Sequence, residues 1–457
     1  MSDSVSVGED VMSAKQIKNL WIFLTFVEVI VAIIGTITLL VIFVPKARLE
    51  LMKTPVGQFL MGLYGREDYD KTVLDLDFDK SKIKSNEDLP EYVYSSEYTN
   101  LVMFGIDSRT SDFDSATNSD SIIIVSIHNT TNEVRMVSIY RDTYLEIEQN
   151  DGTSFYSKVN AAYSVGGPTA ALNTINTNMD LDIHDYIVVN FAGVAKIIDA
   201  LGGIEVNLTK EEKQQLNYHL SSTELSIGER TSYVKKYGEN IHLNGIQATT
   251  YCRIRKTAFY DPQTGAVINN DFGRAARQRS VIMKLVDKAK EAGISELKEA
   301  CQLVFDTNTD SQKIIGTSFT WDELMNMMPI LFDFELAGTQ SFPNSFTTGS
   351  LNAIDYVFIK GLSYNVSKLH EFLYGVEDYE PSYTVQNIDY TLQSYTGIYP
   401  DYTQTPQYSS TAENETRLPS DLSGGSIVID ESNTETTKKV IDSKYYGYDD
   451  EKDDSGI

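Results

Sequence analysis

One uninterrupted apolar run constrains this chain more than any other feature. Residues 20–44 are apolar almost throughout, with Glu28 the one charged side chain among them. At 1.5 Å rise per residue such a helix covers roughly 37 Å, enough to cross a bilayer with some tilt. No small-residue cleavage site follows, so the run reads as an uncleaved anchor rather than a signal peptide. Flanking charge leaves the orientation open, because Lys15 and Lys18 precede the run while Lys46, Arg48 and Lys53 follow it. Glu28 reads either as a carboxyl tolerated near one end of a long helix or as a helix–helix contact.

The chain of 457 residues has room for one large domain or two ordinary ones besides the anchor. A net charge of −27 argues against a general nucleic-acid binder, although it leaves room for a small basic site inside an acidic shell. Cys252 and Cys301 are the only cysteines, so no disulfide framework is implied. Residues 1–19 form an N-terminal tail, and 45–97 read as a linker or accessory segment. Strand-like and helix-like stretches alternate over 98–383, which indicates an α/β domain. Residues 384–457 turn to Ser, Thr, Asn, Asp and Tyr, a composition expected to stay disordered.

Three early strands matter most. The runs 101–105, 122–127 and 134–139 are apolar, the second of them rich in β-branched residues, and a polar turn at 129–132 makes the last two a hairpin. If the first strand also runs antiparallel to the second, one sheet edge collects Asp107, Arg109, Asp120, Arg141 and Asp142. Loops at such edges commonly build sites. Further on, helices are expected at 168–178, 193–201 and 274–290, with strands at 186–190 and 204–208. In the third helix Arg274, Arg277 and Gln278 stand at i, i+3 and i+4, which predicts one shared face, with Asp271 as the cap.

The arginines of this acidic chain are unevenly spread. Arg109, Arg141, Arg253, Arg255, Arg274, Arg277 and Arg279 all fall beside expected strand ends or at one helix start. Arginine offers a rigid fork of donors matched to phosphate oxygens. The residues alone leave two readings open: a clamp for a polyphosphate or pyrophosphate, or Arg–Asp pairs that staple loops together. Asp107 and Asp120 divide the same way, as oxygen ligands for Mg²⁺ shared with substrate phosphates or as salt-bridge partners of Arg109 and Arg141. The five scattered histidines show no ligand spacing for zinc, and neither a nucleophile elbow nor a P-loop motif occurs.

Several short pieces, taken in order, resemble the LytR-CpsA-Psr family of bacterial cell-envelope proteins. They are Phe104-Gly-Ile-Asp-Ser-Arg109, Ser119-Asp120, Ser138-Ile-Tyr-Arg-Asp142 and Lys158-Val-Asn-Ala-Ala-Tyr163. Asp199-Ala-Leu-Gly-Gly203, Leu243-Asn-Gly-Ile-Gln-Ala248, Tyr251-Cys-Arg-Ile-Arg255 and Asp271-Phe-Gly-Arg-Ala-Ala-Arg-Gln278 follow. The resemblance implies a central mixed sheet flanked by helices, behind a single N-terminal transmembrane helix, with the main domain outside the cell membrane and the N-terminus inside.

It further implies a phosphotransferase that moves a glycopolymer, such as teichoic acid or capsule, from a polyprenyl-pyrophosphate carrier to peptidoglycan. The lipid tail would lie in a cavity of the core. By position, Asp107 and Asp120 would hold Mg²⁺, with Mn²⁺ an alternative. Arg141, Arg253, Arg255 and Asp142 would carry the chemistry, and Arg109, Arg274, Arg277, Gln278 and Asp271 would bind substrate. Membrane lipids and peptidoglycan are the implied partners, and nucleic acid is not. Two positions depart from the pattern: Asn118 stands where the family usually has arginine, and Tyr140 where it usually has proline. These departures favour the alternative of a catalytically weak, lipid-binding envelope regulator.

Overall fold

The computed structural model describes residues 78–107, 117–262, 265–292, 314–320, 334–400 and 427–430, with the single positions 297, 300 and 323. The run at 20–44 and Arg109 lie outside these residues. Among the described residues no helix is long and apolar enough to cross a membrane.

The first strands of the described residues are β1 (Tyr98–Ile106), β2 (Ser119–His128), β3 (Glu133–Ile139), β4 (Tyr144–Glu148) and β5 (Ser154–Lys158). Then come α1 (Ala161–Met179), β6 (Asp185–Val189), α2 (Phe191–Ala200), β7 (Ile204–Leu208), α3 (Lys210–Ile227), β8 (Gly238–Leu243) and α4 (Gly245–Tyr251). The next elements are β9 (Phe259–Tyr260), β10 (Val267–Ile268), α5 (Asn270–Glu291), β11 (Ile315–Thr317) and β12 (Glu335–Phe342). Last are β13 (Phe346–Leu351), β14 (Ile354–Ile359), α6 (Leu362–Tyr374), α7 (Tyr383–Thr396) and β15 (Ile427–Asp430).

A mixed six-stranded sheet in the order β11-β6-β1-β2-β3-β12 forms the centre. The expected antiparallel pairing of β1 with β2 and of β2 with β3 is present, while β6 and β12 join in parallel. Alternation along the strands sorts side chains to two faces. Val102, Phe104, Ile122, Ile124 and Val137 pack with α1, α6 and α7. Leu101, Ile123, Val125 and Met136 point the other way, toward Ile282, Met283 and Val286 of α5. Residues 122–127 are buried throughout, which explains why β2 reads as a continuous apolar run rather than an alternating one.

A smaller core joins α2, α3 and α4 to the antiparallel pair β7–β8. Two of the short sequence pieces meet here. The Asp199 carboxylate accepts the Gly245 N–H at 2.7 Å, and a Cβ on Gly245 would stand 2.0 Å from the Ala195 carbonyl oxygen. Glycine is therefore required by the close approach of α2 and α4, a structural demand rather than a catalytic one.

Part of the stretch read as a linker is built into the domain. Ile83 and Val93 are buried, and Phe78 and Tyr92 pack against the main core. The run looked unstructured because it forms two single-turn 3₁₀ helices, Lys80–Lys82 and Glu91–Tyr94, too short for periodicity to register. At the other end, the chain folds beyond 383. Ser382 caps α7, whose Val385, Ile388 and Leu392 are buried, and Asp389 accepts the Leu362 and Ser363 N–H groups at the start of α6. Its apolar positions are diluted by Thr, Gln and Tyr, so composition alone hides the helix.

His370 of α6 ties these additions together. It is fully buried, with Nδ1 2.8 Å from the Tyr92 hydroxyl and Nε2 3.0 Å from the Met179 carbonyl oxygen, and it stacks on Tyr379 at 3.9 Å. Burial pushes its pKa down to about 4, against the opposing pull of the Met179 carbonyl and Asp180. An unfolded histidine takes up its proton near pH 6.5, so the unfolded chain binds the extra proton first. The contribution is therefore complete above pH 6.5 and is lost as pH falls through 4, about 3 kcal/mol in all. Urea unfolding of the wild type and of His370→Gln across that window checks this. Identical slopes against pH in both proteins would refute it.

Candidate functional site

The site grows from the β1–β2 edge. Gly105 faces Ser121 and Ile106 faces Ser119, so the register slips there and Asp120 is left without a cross-strand partner. Bulges of this kind re-aim a side chain out of the ladder. Asp107 follows the last residue of β1 at the same edge. Arg141 and Asp142 come directly after β3, where the Tyr140 N–H bonds the Phe342 carbonyl at 2.9 Å and anchors the turn. α5 brings Asp271 and Arg274 in its first turns, and the segment after α4 brings Arg255.

These groups form one ion-pair web. Arg141 Nη1 lies 2.5 Å from Asp120 Oδ1, and its Nε lies 3.6 Å from both Asp142 Oδ2 and Asp271 Oδ2. Arg274 Nη2 donates to Asp271 Oδ2 and to the Asp120 carbonyl oxygen, each at 3.0 Å. Arg255 Nε stands 3.4 Å from Asp271 Oδ1, and Lys158 Nζ lies 2.9 Å from Asp142 Oδ1. Three guanidiniums and one ammonium thus face three carboxylates, leaving a formal positive excess of one in a chain of net charge −27.

Electrostatics follow from this packing. Burial opposes ionisation of Asp120, yet Arg141, Arg274 and Arg255 outweigh it and hold the carboxyl below its usual range. Arg141 is likewise partly desolvated, but Asp271, Asp142 and Asp120 keep its pKa above the ordinary value. Arg274 goes the other way: burial, seconded by Arg255 and Arg141, brings it down to about 10. It stays a cation at neutral pH. Its side chain is 5% exposed, and its Nε has no hydrogen-bond partner among the described residues. A buried donor left unmatched costs about 1–3 kcal/mol, which an incoming anion would relieve.

Asp120, Ser138, Arg141, Asp271, Arg274 and Gln278 line one small, narrow cleft. Tyr140, in the usual proline position, packs against Phe272 at 4.4 Å and Phe346 at 5.4 Å, so the ring wedges the cleft wall in place. Asn118 is exposed at the entry to β2.

The structure does not gather all the expected residues. Arg277 is fully buried behind the cleft, where it pairs with Glu212 at 2.9 Å and donates to the Ile254, Thr257 and Ala258 carbonyls. Arg274 and Gln278 line the cleft, whereas Arg277 projects to the other side of α5. Arg253 donates to Ser222 Oγ at 3.2 Å and Thr223 Oγ1 at 2.7 Å, and lies over the Phe191 ring. Asp271 makes no cap: Asn269 is the N-cap residue, and the Asp271 carboxylate is spent on three arginines. Arg109 lies outside the described residues.

Lys158 and Glu212 were not singled out from sequence as site or support residues. Glu212 had a readable signal in Thr209-x-x-Glu212, a capping box whose two reciprocal bonds are both present. Lys158 sits on β5 opposite Tyr144, a pairing that no local pattern reveals.

Asp107 and Asp120 are the two carboxylates at the bulged edge. Among the described residues no three His, Cys, Asp or Glu side chains converge as a metal site. A pair of carboxylates fits the chemistry of Mg²⁺, which often takes one or two protein oxygens and fills its sphere from phosphate and water.

The LytR_cpsA_psr family model matches residues 67–332 of the chain. A polyisoprenyl-teichoic acid–peptidoglycan teichoic acid transferase, TagU of Bacillus cereus, is 32% identical over 235 residues, 51% of this chain and 65% of that protein. Biofilm regulatory protein A of Streptococcus mutans is 32% identical over 195 residues, 41% of this chain and 43% of that protein. The chain thus spans about two thirds or less of the length of these curated relatives. Among solved structures, protein gbs0355 of Streptococcus agalactiae matches with a TM-score of 0.48 and 24% identity, covering 64% of this chain and 91% of that one.

Proposed function

The chain belongs to the LytR-CpsA-Psr family, and we propose that it transfers a glycopolymer from a polyprenyl-pyrophosphate carrier to peptidoglycan at the outer face of the cell membrane. The observation that carries this reading is the buried Arg274, which lines one small cleft with Arg141 and shares the Asp271 carboxylate with Arg141 and Arg255. The TagU relative bears that activity in its name.

The lie of α5 supports a lipid with a charged head. Arg274, Gln278, Ile282 and Val286 follow one another at i+4 steps, so one face of the helix turns from cation to amide to aliphatic over roughly 18 Å. Ile282 and Val286 pack toward the second face of the sheet, where a polyprenyl tail would run. The residues at 20–44 would hold the domain beside the bilayer from which that lipid is drawn.

In the reaction, Arg141, Arg255 and Arg274 spread the charge that grows on the phosphoryl oxygens, a positioning and electrostatic role. An acceptor hydroxyl of peptidoglycan attacks the sugar-side phosphorus and the phosphoanhydride bond breaks. Polyprenyl phosphate leaves with the electron pair. The hydroxyl proton passes to a carboxylate at the mouth, for which Asp142 is the candidate. Asp107 and Asp120 would hold Mg²⁺, which when bound neutralises phosphate charge.

The similarity to a biofilm regulatory protein and the uncharged Asn118 favour a second reading, a lipid-binding regulator with little turnover. Incubating the full chain with lipid-linked glycopolymer, Mg²⁺ and a peptidoglycan fragment separates the two. Polymer joined to the fragment is expected. Bound lipid without joined product would instead support the regulator.

A further inference from the structure

Arg141 and Asp271 line the cleft from separate elements, the turn after β3 and the first turn of α5. Their ion pair does not by itself fix their spacing. Arg141 Nε lies 3.6 Å from Asp271 Oδ2, beyond a normal hydrogen bond, and has no hydrogen-bond partner among the described residues. Attraction between charges at that range changes slowly with distance. Each partner has an aromatic neighbour in the chain, Tyr140 before Arg141 and Phe272 after Asp271, and these two rings pack with centroids 4.4 Å apart. Phe346 of β13 closes a triad, 5.4 Å from Tyr140 and 5.2 Å from Phe272. Such packing is steep: a gap of about 0.5–1 Å forfeits about a quarter to a half of the contact attraction.

Tyr140 is tied down through both backbone and side chain. Its N–H bonds the Phe342 carbonyl at 2.9 Å, and its own carbonyl accepts from the Thr143 N–H at 3.0 Å and from Thr143 Oγ1 at 2.6 Å. Its hydroxyl shares a hydrogen bond with Ser341, whose Oγ also accepts from Arg279 Nη1 at 3.3 Å. Tyr140 thus links the end of β3 to β12, β13 and α5, and it forms part of the cleft wall. We propose that Tyr140 is a positioning residue: its ring, clasped by Phe272 and Phe346, sets the spacing of Arg141 and Asp271 and so aims the Arg141 guanidinium at the phosphoryl group. The aim at a phosphoryl group rests on the reading above, whereas the spacing is a property of the folded chain. Asp271, Arg274 and Gln278 ride together on α5, so a slack contact displaces Arg141 against all three.

The test follows transfer by the full chain in nanodiscs, with lipid-linked glycopolymer, Mg²⁺ and a peptidoglycan fragment. Tyr140→Leu keeps the backbone bonds and an apolar side chain but loses the ring. It is expected to lower kcat by about 10–10²-fold with KM for the lipid substrate little changed, the result of a misplacement of about 1 Å felt in the transition state. Tyr140→Phe keeps the ring and is expected to stay close to the wild type. Phe272→Leu cuts the same contact from α5 and is expected to match Tyr140→Leu, which covers the case in which that variant does not fold. In an Arg141→Gln background Tyr140→Leu is expected to cost nothing more, because it acts through Arg141. An equal loss in that background, or a Tyr140→Phe variant as slow as Tyr140→Leu, overturns the inference. So does a crystal structure of the full Tyr140→Leu chain with Arg141 and Asp271 at the wild-type spacing, and transfer by the wild type then still stands. A widened pair in that structure, beside a wild type that joins no polymer, supports the positioning and sinks the reading of the reaction.

Discussion

Arg274→Ala is expected to lower glycopolymer transfer by about 10²–10³-fold, the usual cost of removing one preorganised donor from a charge-stabilising site. Arg274 is the deepest cation of the cleft, fixed by Asp271 and the Asp120 carbonyl and almost without contact with water. Its field is therefore screened less than that of Arg255, whose side chain is 46% exposed. Arg255→Ala is accordingly expected to cost less. Asp271 retains Arg141 and Arg255 as partners when Arg274 is removed, so the fold should survive. Rates on lipid-linked substrate, set beside thermal unfolding of the same variant, decide the matter. A variant as active as the wild type would remove Arg274 from the site.

Arg277→Ala is expected to destabilise the protein by about 3–5 kcal/mol, the cost of leaving a buried charge without its partner. Glu212 is 3% exposed and works in two directions: Oε2 accepts the Thr209 N–H that starts α3, and Oε1 accepts from Arg277. Removing Arg277 strands that carboxylate and leaves the carbonyls of Ile254, Thr257 and Ala258 without their donor. A domain stable by about 5–15 kcal/mol would lose a large part of its margin. Those carbonyls belong to the segment that carries Arg255, so lost activity in this variant is expected to follow lost structure. Arg277→Lys is expected to rescue only part, because an ammonium lacks the planar fork. Denaturant midpoints measure both; a loss under about 1 kcal/mol would contradict the buried-pair account.

Much of the site was legible before any coordinates. Short apolar runs bounded by polar turns placed β1, β2 and β3, and their ends brought Asp107, Asp120, Arg141 and Asp142 to one edge. The helix carrying Arg274 and Gln278 was readable too: Val281, Ile282, Leu285, Val286 and Ala289 repeat at helical spacing. What local pattern does not encode is the direction in which neighbouring side chains on one helix find their partners. Arg274 and Arg277 are three residues apart, about 60° around the helix axis, and either can meet phosphate on propensity alone.

Their fates diverge because Glu212, 65 positions away, waits on one side and Asp271 on the other. Arg253 and Arg255 separate in the same way, one drawn to the hydroxyls of α3 and the other to Asp271. The sequence by itself determined the chemistry: a surplus of arginines and aspartates at strand ends, in an order that marks one family. Only the tertiary structure decided which of those arginines form the cleft and which support it. Long-range pairing of buried charges depends on contacts between segments far apart in the chain, and no periodicity records them.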